Sequence, residues 1–390
     1  MTAPQTGIET NGEFTTLADE ITFLDALAES PRCTLETVGV TPSTDRPLRL
    51  LRIGDPVPRT PTPSKSVLIV GGQHGNEPVG RETALTFARD AVFGSEWSAW
   101  LGEFDLLVFP TASPDAFAAP SRFTRGLDLN RQHFLLDLIE ARVIANVLRD
   151  YKPAILVDLH ELFGSTTRDR VELLAATNPM VDTLVSETSA AMLDAVRAHL
   201  SAENIDNALF PGGNVPETIR NMATLRNGLA LLVETLNSEI RTPAERVAWQ
   251  LETLRGLFEW HTANAAAVAE TVSGAAFRVS RRTGPFDLVN GTVLDPVPTG
   301  YVLTAEQQDA AAVQIDAFNV SVDDGTVWMR QGSQPVIPYL MDPSASTETR
   351  ATSATATFEP PPFDRFVRRG GQRVELTTSV VRDGSLFTAT

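Results

Sequence analysis

The stretch from Val67 to Pro78 constrains the fold of this chain more than any other. Four apolar residues, Val67–Val70, suit a fully buried strand and run into two glycines. His74 and Glu77 follow three positions apart, and Pro78 occupies a typical first position of a helix. Open α/β sheets place their active sites beyond the carboxyl ends of such strands. The stretch therefore predicts half of a zinc site in a bend after a buried strand.

The first 270 residues alternate apolar strands with amphipathic helices. Further buried strands are predicted at 104–110, 154–160, 171–175 and 228–234, and helices at 20–29, 77–94, 135–147, 180–201 and 242–269. This alternation predicts an α/β fold with a largely parallel sheet flanked by helices. We expect residues 1–270 to form the catalytic domain. Residues 271–390 contain short strand-like runs, turns, a helix at 304–318 and a loop at 345–357, and are expected to form a smaller β-rich C-terminal region.

Two histidines share an informative position, because His74 and His160 each stand at the C-terminal end of an apolar strand. Catalytic zinc takes three nitrogen or carboxylate ligands and keeps a fourth position open. His74, Glu77 and His160 are therefore the predicted ligands of one zinc ion. Asp158 shares a strand face with His160 and is predicted either to orient that imidazole or to make a structural hydrogen bond. The other histidines are expected to be packing or surface residues: His133, His199 and His261.

Two further stretches supply groups suited to the chemistry beside a metal. Arg122, Arg125, Asn130 and Arg131 follow the strand at 104–110, and such side chains bind a substrate carboxylate. The alternative is a helix cap with surface arginines. Glu234 closes the apolar run 228–234, where an ionised carboxylate can act as general base and then acid. A buried salt bridge is the alternative for this residue.

Together these stretches resemble the zinc carboxypeptidase family, the carboxypeptidase A-like metallopeptidases, in its bacterial and archaeal branch. The resemblance rests on His74-Gly-Asn-Glu77-Pro, Gly126-Leu-Asp-Leu-Asn130-Arg131, Asp158-Leu-His160 and Leu231-Leu-Val-Glu234-Thr, over roughly residues 65–260. It implies a mixed sheet between helices, with one zinc ion held by the three predicted ligands. It also implies that the protein is a metallocarboxypeptidase, which removes C-terminal residues from peptides.

The same resemblance implies roles for the polar residues around the metal. Asn130 and Arg131 would grip the free C-terminal carboxylate of the substrate. Arg122 or Arg125 would polarise the scissile carbonyl and stabilise its oxyanion, and Glu234 would be the general base and acid. We expect a small peptide or acyl-amino-acid substrate with a free carboxylate.

One departure from the family keeps other functions open. Peptide-cleaving members carry a mobile tyrosine shortly before the catalytic glutamate, and none of the three tyrosines here (Tyr151, Tyr301 and Tyr339) falls there. The related aspartoacylase and succinylglutamate desuccinylase group shares the zinc motif and the Asp-Leu-Asn-Arg segment. N-acyl-amino-acid deacylation is therefore one alternative. A non-catalytic carboxylate-binding protein is another.

The charge balance narrows the class of partner and the setting. The net charge of −17 argues against nucleic acid or an anionic membrane as a partner, because both need clustered cations. Only Lys65 and Lys152 are lysines among 32 basic residues, and this acidic, lysine-poor composition predicts a halophilic, high-salt setting. A cytoplasmic location is expected because the N-terminus lacks a basic and an apolar signal region. The single cysteine, Cys33, excludes an internal disulfide.

Overall fold

The structure is a computed structural model that describes residues 2–54, 57, 65–98, 100–163, 170–237, 240–342, 344–345, 354–358, 366–369 and 372–375. The helices are α1 Gly7–Asn11, α2 Leu17–Ala28, α3 Pro78–Phe93, α4 Ser95–Ser98, α5 Pro114–Ala118, α6 Ile139–Tyr151, α7 Thr183–Ala202, α8 Ile219–Leu225, α9 Pro243–Ser280, α10 Ala305–Ala310, α11 Ala312–Ala317 and α12 Ile337–Met341. The strands are β1 Cys33–Val40, β2 Pro47–Ile53, β3 Ser66–Val70, β4 Asp105–Phe109, β5 Phe123–Thr124, β6 Leu127–Asp128, β7 Ile155–Leu162, β8 Val171–Leu174, β9 Asn207–Leu209, β10 Leu229–Leu236, β11 Phe286–Asp287, β12 Val293–Leu294, β13 Gly300–Val302, β14 Thr326–Trp328, β15 Thr355–Thr357, β16 Phe366–Arg369 and β17 Gln372–Glu375.

The central sheet has eight strands in the order β1-β2-β4-β3-β7-β10-β8-β9. Its middle strands, β4, β3, β7 and β10, are mutually parallel, and β1, β2 and β8 join by antiparallel pairing. The fold class is thus the predicted one, a mixed and largely parallel sheet with flanking helices. Because parallel strands end at the same edge, the polar loops after β3 and β4 and the ends of β7 and β10 meet there.

The buried strands have the apolar, β-branched composition that a sheet covered on both faces requires. All five residues of β3 and the first seven of β7 are buried. Helices α3, α7 and α9 pack together and against the sheet, while α6 contacts β1 and α8 contacts β7 and β10. This packing covers the middle strands of the sheet. None of the described helices has the length and apolar character needed to cross a membrane.

Helix α9 begins as predicted and ends later than predicted. Thr242 and Glu245 form the capping box, and Pro243 takes the first helical position. The predicted end at residue 269 is wrong. Beyond a kink at Asn264 the helix continues to Ser280, and these residues are buried at helical spacing: Val268, Thr271, Ala275 and Val279. The predicted division at residue 270 therefore lies within this helix, and the two-domain organisation stays a prediction.

Other boundaries differ by a few residues. Helix α6 begins at Ile139, so the predicted inclusion of Leu135 is wrong. The helix predicted at 304–318 is confirmed as α10 and α11, which are separated at Ala311. Within the predicted loop at 345–357, residues 346–353 lie outside the described residues. Thr355–Thr357 instead forms strand β15 against β13, because β13 offers it a free edge.

Candidate metal centre and active site

The three predicted metal ligands come together at the carboxyl edge of the sheet. His74 Nδ1 lies 2.7 Å from Glu77 Oε1, and His160 Nδ1 lies 2.7 Å from Glu77 Oε2. All three donor groups lie within 4.8 Å of one another, and each side chain is at most 3% exposed. Two imidazole nitrogens and one carboxylate therefore converge on a single point.

Two glycines allow the loop after β3 to make this approach. Gly72 has φ +61°, which glycine adopts without strain. A Cβ atom at Gly75 would lie 2.0 Å from the carbonyl oxygen of Ala116, so only glycine fits there. The chain then turns so that Glu77 immediately precedes Pro78, the first residue of α3. The glycines thus place His74 and Glu77 beside the end of β7.

The outer nitrogen of each imidazole is bound by a carboxylate. His74 Nε2 lies 2.9 Å from Asp128 Oδ1, and His160 Nε2 lies 2.9 Å from Asp158 Oδ1. A proton on each Nε2 is donated to these carboxylates, which leaves Nδ1 of both rings available to a metal. The orienting role that was one of two predictions for Asp158 fits this geometry. Asp128 was missed, although it stands in the Asp-Leu-Asn-Arg segment two residues before Asn130.

The residues present fit a zinc ion. Two neutral imidazoles and one carboxylate are a ligand set of catalytic zinc, and carboxylates behind the imidazoles are typical of such centres. Burial alone would lower the pKa of His160, but Asp158 and Glu77 raise it well above its ordinary value. Burial likewise opposes the ionisation of Glu77, yet His160 and His74 lower the pKa of this carboxyl. The cluster is therefore built to hold positive charge.

A chain of hydrogen bonds extends the cluster inward to a third histidine. His133 Nε2 lies 2.7 Å from Gln73 Oε1, and Gln73 Nε2 donates to Asp158 Oδ1 at 2.6 Å. Burial lowers the pKa of His133 to about 4, so its imidazole is neutral at ordinary pH. His133 therefore lies in the hydrogen-bond network behind the metal cluster, which the expectation of a packing or surface residue did not include. Gln73 was missed, and its place directly before His74 is the only sequence signal for it.

The structure distinguishes the two arginines that the sequence could not separate. Arg122 Nη1 lies 3.2 Å from Glu77 Oε1, and its Nη2 lies 2.9 Å from Asp128 Oδ2. Its side chain is 40% exposed, so it can reach a substrate. Arg125 instead donates to Asp115 at 3.1 Å and to the buried Glu140 at 2.5 Å. Only Arg122 of this pair contacts the metal cluster.

The two residues predicted to grip a carboxylate differ in accessibility. Asn130 is buried; its Nδ2 donates to Asp158 Oδ2 at 3.2 Å, and its Oδ1 accepts from the backbone of Ile219 at 3.0 Å. Arg131 is exposed, and its Nη1 donates to the Asn130 carbonyl at 2.8 Å. The side chain of Arg131 is thus accessible to a substrate. The substrate contact of Asn130 stays a prediction.

Glu234 lies on β10 directly beside His160 of β7. Its half-buried carboxylate makes no ion pair or hydrogen bond with the described residues, so the predicted alternative of a salt bridge is not seen among them. Burial raises the pKa of Glu234 to about 8, while the neighbouring His160 opposes this increase. A cation at the cluster acts in the same direction as His160. An unpartnered carboxylate therefore faces the site.

The three tyrosine hydroxyls of the chain are bound elsewhere. Tyr151 donates to Glu36 at 3.0 Å, Tyr301 to Asp342 at 3.0 Å and Tyr339 to Asn178 at 3.1 Å. None of these hydrogen bonds involves the metal cluster. The departure from the family pattern noted in the sequence therefore persists in the structure.

A mixed sheet with a His–Glu–His cluster at its carboxyl edge offers a candidate metal centre of the kind found in metal-dependent hydrolases. Residues 21–150 match the model of the zinc carboxypeptidase family. The chain is 35% identical over 97 residues to carboxypeptidase 2 of Trichophyton rubrum, which is 24% of this chain and 18% of that protein. The carboxypeptidase 2 of Trichophyton tonsurans gives the same values. These matches confirm the resemblance to the zinc carboxypeptidases and span about a fifth of the length of the curated relatives.

Solved structures show the same fold. A metallo-carboxypeptidase from Burkholderia cenocepacia superposes with a TM-score of 0.53 at 15% identity, covering 63% of this chain and 69% of that one. A metallo-carboxypeptidase from Pseudomonas aeruginosa, in complex with (2-guanidinoethylmercapto)succinic acid, has a TM-score of 0.50 at 17% identity and covers 65% and 69%. At these identities the likeness establishes the fold alone.

Proposed function

We propose that this protein is a zinc-dependent carboxypeptidase that removes C-terminal residues from peptides. The observation that carries the proposal is the convergence of His74, Glu77 and His160. Glu234 lies beside them on the adjacent strand and has no partner among the residues that the structure describes. The match of residues 21–150 to the zinc carboxypeptidase family supports it. The matched relatives are carboxypeptidases, which does not favour the deacylase and the non-catalytic alternatives.

His74, Glu77 and His160 would hold one zinc ion through two Nδ1 atoms and one carboxylate. Zinc supplies a Lewis acid that polarises a carbonyl group and makes water more acidic. The protein residues do the remaining work. Asp128 and Asp158 keep protons on the outer imidazole nitrogens, so that both Nδ1 atoms face inward. Gln73 and Asn130 hold Asp158 in place through their amide groups.

The substrate would be gripped and activated by the arginines and Glu234. Arg131 pairs with the free C-terminal carboxylate, beside Asn130, and so selects the last peptide bond. Arg122 donates to the scissile carbonyl oxygen as negative charge develops on it. Glu234 takes a proton from the attacking water and delivers it to the leaving amine. Arg125, held by Asp115 and Glu140, supports the loop that carries Arg122.

The experiment uses the purified full chain and compares three kinds of substrate. We expect release of the last amino acid from peptides with a free C-terminus and no release from C-terminally amidated copies. N-acyl amino acids form the third arm. Activity should stop with a zinc chelator and return with added zinc. The His160→Ala variant should contain no stoichiometric metal by elemental analysis.

The other outcomes are distinct. Turnover of N-acyl amino acids without turnover of peptides would establish deacylation instead. Binding of carboxylates without chelator-sensitive turnover of any substrate would establish a non-catalytic protein. Stoichiometric zinc in His160→Ala would refute the ligand set.

We further propose that the protein works in a salt-rich cytoplasm. The net charge of −17 and the presence of only two lysines support this setting, since a strongly hydrated acidic surface keeps a protein soluble in salt. Activity and unfolding temperature measured from low to molar KCl test the proposal. A protein that is most active and most stable at low salt would contradict it.

A further inference from the structure

A cavity lies at the amino ends of the parallel strands, on the side of the sheet opposite to the metal centre. Its volume is about 560 Å³. Part of its wall is formed by Pro153, two residues before β7, and by Gly228, the residue directly before β10. His160 stands seven positions after Pro153 along extended chain, so the cavity lies on the order of 20 Å from the metal cluster. It is therefore a separate site and not an extension of the active site.

Three cations line this cavity in a chain that is otherwise strongly acidic. Arg149 and Lys152 stand at the end of α6, and Arg226 caps the end of α8. Arg149 is paired with the exposed Asp150 and Asp316. Lys152 and Arg226 form no ion pair with the described residues. The C-terminal end of a helix carries a partial negative charge that attracts cations. This partial charge is smaller than the full positive charge of one lysine or arginine.

Arg226 is the innermost of these cations. Its Nη1 donates to the Ala145 carbonyl at 3.1 Å, and its guanidinium carbon lies 5.8 Å from the centre of the Phe318 ring. Burial, and secondarily the nearby Arg149, lower the pKa of Arg226 to about 9, while the carboxylate of Asp150 acts in the opposite direction. A half-buried guanidinium without a carboxylate partner is costly for the folded chain. Its remaining donors are well suited to an anion that enters from solvent.

The neighbouring residues supply an acceptor and an apolar wall. Asn227 Nδ2 donates to the Gly332 carbonyl at 3.1 Å, while its buried Oδ1 has no partner in the described part of the chain. An oxygen of this kind requires a donor from a ligand or a water molecule. Leu225, Phe318 and Val336 provide apolar surface around it. Such a mixture, mostly apolar with a few convergent polar groups, is typical of sites for small molecules.

We propose that this cavity binds a small organic anion, a carboxylate or phosphate group on an apolar body, through the guanidinium of Arg226 and the ammonium of Lys152. Phe318 and Val336 cover the apolar body. Asn227 Oδ1 accepts a hydrogen bond from a hydroxyl or amine of the ligand. Both anion types suit the planar donors of arginine, and the two are distinguished by experiment.

The test is calorimetric titration of the zinc-loaded full chain with phenyl phosphate in one arm and benzoate in the other. At least one probe should bind with one site per chain that is independent of Arg131, and neutral benzyl alcohol should bind more weakly. Arg226→Gln should weaken this binding by about tenfold or more. Lys152→Gln, at an exposed position, should weaken it severalfold and does not endanger folding.

Two control variants make the result specific. Arg131→Gln removes a cation of the candidate active site and should leave this binding site intact. Arg282→Gln removes a matched arginine, whose guanidinium carbon lies 5.0 Å from the Phe286 ring and outside the cavity, and should have no effect. The proposal is overturned if neither probe binds up to about 10 mM. It is equally overturned if Arg226→Gln and Lys152→Gln both bind the probes like the parent. The two cations would then only stabilise the C-terminal ends of α6 and α8.

Discussion

Two histidines of this protein are equally buried and lie in opposite surroundings. His160, at the end of β7, and His261, in α9, are each 2% exposed. Asp158 and Glu77 raise the pKa of His160 well above its ordinary value, against the effect of burial. Neither ring nitrogen of His261 has a hydrogen-bond partner among the described residues, and burial lowers the pKa of His261 to about 4. The ring of His261 packs edge-on against Phe104 at 4.5 Å.

The difference shows that burial alone does not make a metal ligand. What distinguishes His160 is a carboxylate at each nitrogen, one to share the metal and one to fix the ring. His261 has an apolar neighbour in place of both, so it contributes packing. Substitutions at the strand ends should therefore change catalysis and metal binding, whereas substitution of His261 should change only stability and its dependence on pH.

The largest effect is expected at Glu234. Glu234→Gln keeps the shape and the metal ligands but removes the general base, so kcat should fall by about 10²–10⁴-fold with zinc content unchanged. Glu172→Gln is the matched control, because Glu172 lies opposite Glu234 on β8 and is bonded to Arg170 at 2.8 Å. Kinetics with peptide substrates and elemental analysis check both variants. A Glu234→Gln enzyme with the parent rate would remove this residue from the mechanism.

The next largest effect is expected at Arg122, and it should differ from the effect at Arg125. Arg122→Ala removes a donor from the carbonyl site and should lower kcat by about 10²–10³-fold. Arg125→Ala should affect kcat far less and lower the free energy of unfolding by about 2 kcal/mol, because Glu140 is left buried without its partner. Peptide kinetics and denaturant unfolding of both variants separate the roles. The reverse pattern would assign the carbonyl contact to Arg125.

The strand ends could be read from the sequence because apolar runs followed by histidine or glutamate mark them. Val67–Val70 and the runs before His160 and Glu234 gave the sheet edge and the ligand set directly. The registers of the strands, which put Glu234 beside His160, depend on long-range pairing that no local pattern encodes. The fold class was thus predictable, and the exact neighbours were not.

The roles of the loop residues depended on backbone geometry that the sequence conceals. Arg125 has φ +48° and Gly126 φ +83°, which form the turn of the β5–β6 hairpin. This turn sends Arg122 to Glu77 and Arg125 to Glu140, although the two arginines are only three residues apart. Asp128 follows the turn and reaches His74. The sequence around this aspartate carries no sign of such a partner.

The carboxylate behind His74 should matter less than the ligands themselves. Asp128→Asn retains an acceptor but loses the charge that orients and strengthens the imidazole, so zinc affinity should fall by about 10–100-fold. Competition with a chelator of known affinity measures this change. Asp182→Asn is the control, since Asp182, like Asp128, is bound to an arginine, in this case Arg278 at 2.7 Å. Equal zinc affinity of the parent and Asp128→Asn would mean that Asp128 serves only Arg122.

The smallest effect, and the one that tests the other histidine, is on the pH dependence of stability. Because the folded chain holds His261 neutral with a pKa of about 4, the unfolded chain binds its proton more strongly, near pH 6.5. The free energy of unfolding therefore declines as the pH falls through this window, and His261 accounts for about 2 kcal/mol of the decline between pH 7 and pH 5. His261→Phe and His261→Gln should both remove that part, as measured by denaturant unfolding at the two pH values.

The two variants fill the space differently, so a flattened pH dependence in only one of them would point to packing and not to titration. Unchanged pH dependence in both would mean that His261 finds a partner for its proton, and the contrast with His160 would then rest on geometry alone.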